Sequence, residues 1–283
     1  MHSGVTQSAF DVCSQAALTH YENFPVGSKF IRKDVRPHVH AVYAFARAAD
    51  DFADEKEYEG KRLEYLGLWR EKLLAAHQGK AEDPVFIALA HSIQSQKLPV
   101  EWLDQLIQAF EQDVVQSRHE NFQSIIDYSK RSANPVGRLI LWLHGVRDEK
   151  LFEKSDYICT ALQLTNFWQD VAIDLEKDRV YLPLEDMKKF GYTEEELFRR
   201  TYNDALRKLL KYEIDKTWKL FEKGRSLCDD VESRLQKELR LIYLGGTRIL
   251  QKIEQRNFDV FNRRPKLIFF DKLWMLWHML TWS

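Results

Sequence analysis

The chain has 283 residues, 45% hydrophobic and 30% charged, with a formal net charge of −1, a balance that removes the global electrostatic case for nucleic-acid binding. Its 11 Gly and 7 Pro are few for this length and argue against many short strands joined by turns. Cys13, Cys159 and Cys228 form no CxxC pair, and with no apolar leader before Phe10 they read as reduced thiols of a cytosolic protein.

Apolar residues recur at spacings of three and four, as at Val39, Val42, Tyr43, Phe45 and Ala46 and at Trp102, Leu103, Leu106, Ile107 and Phe110. In chain order the pattern predicts helices over 6–20, 36–55, 59–77, 84–96, 99–117, 121–132, 135–145 and 151–175. A loop with one short helix is expected over 176–203, then helices over 204–223, 229–257 and 266–280. Pro25, Pro37, Pro84, Pro99, Pro183 and Pro265 fall between segments, not inside them. No repeat, low-complexity tract or long linker divides the chain, so one all-α domain over 1–283 is expected.

Two acidic clusters stand out. On a helix, Asp50 and Asp54 lie one turn apart, and the same face extends back through Arg47 to Tyr43. Asp51 lies about 100° round the helix. The second cluster, Asn166, Asp170 and Asp174, again takes successive turns of one face within the apolar run Leu162–Val171. Carboxylates buried without a counter-ion would be costly. Two such stripes facing each other would make an all-oxygen site suited to Mg²⁺ and would leave coordination positions open for diphosphate oxygens. No H-E-x-x-H, P-loop or dinucleotide fingerprint is present.

These residues carry a resemblance to the squalene/phytoene synthase family from about His20 to Arg264. It rests on His38 through Asp54, and on Asn166 to Asp174 followed by Asp178-Arg179-Val180-Tyr181-Leu182-Pro183. Tyr21 to Val26, Arg131 to Arg138 and Leu162 to Asp170 look like the hydroxysqualene synthase branch of bacterial hopanoid pathways. The resemblance implies an all-α, single-domain class I terpenoid synthase (isoprenoid synthase) bundle with a central cavity. It implies a Mg²⁺-dependent carbon–oxygen lyase that turns presqualene diphosphate into hydroxysqualene and releases diphosphate, with no nicotinamide. A presqualene diphosphate synthase would supply the substrate, and a flavin-dependent reductase would consume the product.

Carried over by position, Asp50, Asp54, Asp170 and Asp174 are the metal-binding aspartates, joined by Asn166. Arg47, Tyr181 and Arg263 fall near the diphosphate. The 13% aromatic content suits a terpenoid cavity, where ring faces stabilise carbocations, and Tyr43, Phe24, Phe167 and Trp168 lie near the motifs. The sequence departs from the family where a basic residue and a serine usually precede Phe24: here stand Glu22 and Asn23. Gln169 stands where many relatives have an arginine. Both changes remove positive charge that could grip a second diphosphate. Glu22, with Asn23, is the candidate base for the water that captures the cation.

The apolar segment from Leu267 to Trp282 is too short and interrupted to span a bilayer. It fits equally a last helix packed on the core and a Trp-rich helix lying on a membrane surface, the latter placing a cytoplasmic protein at the periphery of the inner membrane. Alternatives to the main reading are a complete squalene- or phytoene-type synthase acting on two prenyl diphosphates, another class I terpenoid enzyme, and a non-catalytic assembly protein of the same fold.

Overall fold

The structure, a computed structural model, describes residues 4–19 and 31–282. Among them there is no strand, only an isolated parallel bridge between Arg118 and Val180. The chain forms two compact units, Met1–Val115 with Pro135–Phe152, and Gln116–Asn134 with Glu153–Ser283.

In the first unit, α1 (Gly4–Thr19), α2 (Arg36–Asp54), α3 (Arg62–His77), α4 (Pro84–Gln96) and α5 (Val100–Val115) pack around α2. Pro37 and Pro84 sit in the first turns of α2 and α4, where a missing N–H costs nothing. The core gathers Val39, Val42, Phe45 and Ala49 of α2 against Leu66, Trp69 and Leu73 of α3, Phe86 and Leu89 of α4, and Leu103 and Leu106 of α5. Trp69 Nε1 donates to the Phe45 carbonyl at 3.2 Å. His38 and His40 are packing residues: both are buried, with Nδ1 against Ser92 Oγ at 2.8 Å and Ser14 Oγ at 3.0 Å.

The second unit begins with α6 (Phe122–Ser132). The helix α7 (Asn134–Leu143) has all but its first residue in the first unit, and α8 (Glu149–Asp174) belongs to the second unit from Glu153 onward. Two short helices, α9 (Leu184–Phe190) and α10 (Glu194–Phe198), occupy the stretch where one was expected, and α11 (Asp204–Gly224) follows. Each of the last two starts on a side-chain cap, Thr193 and Asn203 accepting the Glu196 and Leu206 N–H groups. The helix expected over 229–257 is two, α12 (Leu227–Asp230) and α13 (Ser233–Gln255), broken where Val231 turns extended. A Cβ at Gly246 would stand 2.5 Å from Leu162 and 2.7 Å from Phe221, so this glycine allows α13 to lie close to α8 and α11.

The last helix, α14 (Phe269–Leu280), packs on α13 through Asp271 and Met279, both buried. Its other face, Phe269, Phe270, Leu273, Leu276, Trp277 and Leu280, is exposed. No described helix is long and apolar enough to cross a membrane.

Candidate active site

In the first unit the stripe Tyr43, Arg47, Asp50 and Asp54 runs along α2, every member half-buried. Its neighbours Phe45, Ala49 and Ala53 are buried on the core side. Phe52 turns into an aromatic cluster with Tyr58 and Trp69, at centroid distances of 5.0 and 5.2 Å. Helix periodicity thus separates an apolar face from an acidic one. Arg47 reaches both of the first two aspartates, Nη2 to Asp51 at 2.6 Å and Nη1 to Asp50 at 3.4 Å. Asp51 is therefore engaged by Arg47 and does not simply face solvent. Glu22, Asn23 and Phe24 lie outside the described residues.

In the second unit Asn166, Asp170 and Asp174 are likewise half-buried on one face of α8. Trp168, fully buried, anchors the opposite face by donating to Thr217 Oγ1 at 2.9 Å. Asn166 Nδ2 donates to Asp170 Oδ2 at 2.6 Å. Gln169 is buried and spends its amide on the Pro265 carbonyl at 2.5 Å.

The segment after α8 has its own scaffold. Asp178 takes the left-handed conformation (φ 56°) that ends the helical run, and Arg118 donates to its side chain at 2.8 Å. Val180 N–H donates to the Ser117 carbonyl and Leu184 N–H to that of His119. Tyr181 is thereby laid on Phe167, ring centroids 3.7 Å apart. His119 also stacks with Tyr181, ring centroids 5.6 Å apart, and burial pushes its imidazole down to about 4, so it is neutral near pH 7. A pocket beside these rings is lined by Asp174, Arg179, Tyr181 and Leu197.

The sequence reading did not single out Arg264. It grips Asp170 with both faces of its fork, Nε on Oδ1 and Nη2 on Oδ2, the latter at 2.8 Å. Arg263, the arginine the sequence pointed to, is exposed, and its carbonyl accepts from Arg256 Nη1 at 2.6 Å. Nothing in the pair Arg263-Arg264 distinguishes one from the other by type; only the fixed backbone between α13 and α14 does.

The donor set fits Mg²⁺. The acidic members of each stripe, with Asn166 in the second, offer oxygen donors from carboxylates and one amide. Among the described residues no group of three or more His, Cys, Asp or Glu is arranged to hold a metal ion by itself. Mg²⁺ is ordinarily held by one or two carboxylates together with waters and substrate phosphates, without a dedicated all-protein cage.

A family model described as squalene/phytoene synthase matches residues 18–271. The chain belongs to the squalene/phytoene synthase family. It is an enzyme of the terpenoid synthase kind, from a family acting on prenyl diphosphates. The hydroxysqualene synthase of Rhodopseudomonas palustris is 34% identical, covering 83% of this chain and 80% of its own length. The 15-cis-phytoene synthase of a Synechocystis species is 28% identical over 95% of this chain and 85% of its own. Among solved structures, squalene synthase HpnC from Alicyclobacillus acidocaldarius superposes with a TM-score of 0.86 at 37% identity, covering 90% of this chain and 96% of that one. The squalene/phytoene synthase resemblance and the all-α isoprenoid synthase fold expected from the sequence are both borne out.

Proposed function

We propose that this enzyme converts presqualene diphosphate to hydroxysqualene and releases diphosphate, in a Mg²⁺-dependent reaction that uses no nicotinamide. The observation that carries the choice of reaction is Gln169. Where many relatives place a cation, this chain has a buried amide committed to a backbone carbonyl, which suits a substrate with one diphosphate. Identities of 34% and 32% to two hydroxysqualene synthases support the same branch. The two units are taken as parts of one catalytic domain over 1–283, since the family match runs through both.

Asp50, Asp54, Asn166, Asp170 and Asp174 would hold the metal. Mg²⁺, when bound, supplies positive charge to the departing diphosphate. Arg47, Tyr181 and Arg263 are assigned to the diphosphate end, with Gln169 and Asn23 beside it. The carbon–oxygen bond to diphosphate breaks and the anion keeps the electron pair. Tyr43 and Phe24 offer aromatic faces to the cation. Water then forms the new carbon–oxygen bond as the cyclopropane ring of the rearranged cation opens, and gives its proton to Glu22.

The exposed face of α14 is assigned to a lipid surface. Its aromatic and aliphatic residues are flanked by exposed Lys266 and Lys272, a combination that suits anionic headgroups. On this reading a cytoplasmic enzyme works at the inner membrane, between a synthase that supplies presqualene diphosphate and a reductase that consumes hydroxysqualene.

The deciding experiment is product analysis after incubation with presqualene diphosphate and Mg²⁺, with and without NADPH. A hydroxylated C30 alcohol, unchanged by NADPH, is expected; squalene formed only with NADPH would overturn the reading. Because the match to 15-cis-phytoene synthase spans more of the chain, complete synthesis from two prenyl diphosphates is the second reading. It is tested by supplying farnesyl or geranylgeranyl diphosphate alone.

A further inference from the structure

We infer that Arg264 is a positioning residue that competes with the metal for Asp170 and so couples metal binding to diphosphate binding. The inference rests on the assignment of Asp170 as a metal ligand.

Both oxygens of Asp170 already hold donors. Oδ1 accepts from Arg264 Nε, while Oδ2 accepts from Arg264 Nη2 at 2.8 Å and Asn166 Nδ2 at 2.6 Å. A two-pronged guanidinium–carboxylate pair is among the stronger polar contacts a protein makes, and here it is largely buried, with side-chain exposures of 29% and 15%. A divalent cation approaching Asp170 therefore meets occupied oxygens and a fixed positive charge. The guanidinium's charge and its hold on both oxygens oppose that approach, so the cation binds more tightly once the guanidinium has left.

The backbone does not provide that movement. The carbonyl before Arg264 is held by Arg256 and the carbonyl after it by Gln169, and Pro265 is buried. Gln169 precedes Asp170 on the same helix, so the tether and the target share one turn of α8. What can move is the Arg264 side chain. A diphosphate beside the metal would offer the displaced guanidinium its oxygens in the geometry an arginine fork prefers. Metal alone thus binds against the Arg264–Asp170 pair, whereas metal with diphosphate exchanges that pair for another. Coupling of this kind is reciprocal.

The test measures Mg²⁺ binding to the full chain by calorimetry, alone and with inorganic diphosphate, for the parent, Arg264→Gln and Arg264→Lys. Arg264→Gln should bind Mg²⁺ alone about tenfold more tightly than the parent, within the usual range of such couplings. It should also lose most of the improvement diphosphate brings, with Arg264→Lys in between. A merely structural arginine would instead give weaker metal binding in both variants. Unchanged or weaker affinity for Mg²⁺ alone in Arg264→Gln, while the parent binds Mg²⁺ with diphosphate, overturns the competition and leaves the metal assignment standing. A parent that binds no Mg²⁺ even with diphosphate overturns both.

Discussion

Phe167 and Tyr181 stack with ring centroids 3.7 Å apart and planes 9° from parallel. The contact joins the middle of the second acidic motif to its tail, so part of what that tail does is packing. Tyr181→Phe should keep the stack and the stability of the parent. Tyr181→Ala should cost about 2 kcal/mol, less than a fully buried aromatic because the ring is half-buried. Denaturant unfolding measures both. Loss of turnover in Tyr181→Phe at parent stability would support the hydroxyl's assignment to the diphosphate end, whereas parent turnover would leave Tyr181 the packing role alone.

Asp50→Ala, Asp54→Ala, Asp170→Ala and Asp174→Ala should each lower turnover of presqualene diphosphate by about 100-fold or more. Helical circular dichroism should be unchanged, because all four side chains leave the core faces of α2 and α8 intact. Parent-like activity in any two of these variants would sink the metal assignment.

Glu22 is tested by product, not by rate alone. Glu22→Gln and Glu22→Ala should still consume presqualene diphosphate but lose hydroxysqualene in favour of other cation-derived products, read by gas chromatography. Parent amounts of hydroxysqualene from both variants would remove Glu22 from the chemistry.

Glu213 gives a pH signature. It is fully buried, and burial pushes its carboxyl up to about 8, with the Asp186 carboxylate adding to the rise and Lys216 opposing it. The folded chain therefore keeps a proton that the unfolded chain releases above about pH 4.3. Stability contributed by that proton is present in acid and falls as pH rises from about 4.5 to 8. Glu213→Gln should flatten the decline in Tm over this window, since Lys216 retains Asp186 at 2.9 Å. An unchanged slope would place its origin elsewhere.

For the lipid surface, the full chain should float with vesicles containing anionic phospholipid and release at high salt. Phe270→Asp with Trp277→Asp should abolish flotation without loss of the fold, both side chains being exposed. Concentration-dependent dimerisation of the parent without lipid, abolished by the same pair, would identify a second copy as the partner.

The helices were legible wherever apolar periodicity was bounded by a breaker, as where α2 and α4 begin with Pro37 and Pro84 in their first turns. They were not where an apolar residue itself breaks the chain: Val231 continues the pattern while its backbone turns extended. The acidic stripes could be read because i, i+4 spacing fixes a common face whatever the tertiary context. The Asp170–Arg264 pair could not, since it joins residues 94 apart through an irregular segment. The pairing of Gln169 with Pro265 was hidden for the same reason; sequence showed the loss of a cation there but not the tether that replaced it.

The Asp271 carboxyl ties α14 down. Burial would raise it, but the Ile268 N–H, Lys252 and Arg248 outweigh that and hold it at about 2. It thus stays ionised and paired across physiological pH. The last helix is therefore a keel, not a flap: it cannot swing out to sample a bilayer without breaking a buried carboxylate away from two cations. Attachment through Phe270 and Trp277 would in consequence fix the heading of α13 relative to the lipid plane. A spin label on α13 should then report one preferred tilt in oriented bilayers, where a hinged anchor would give a broad distribution.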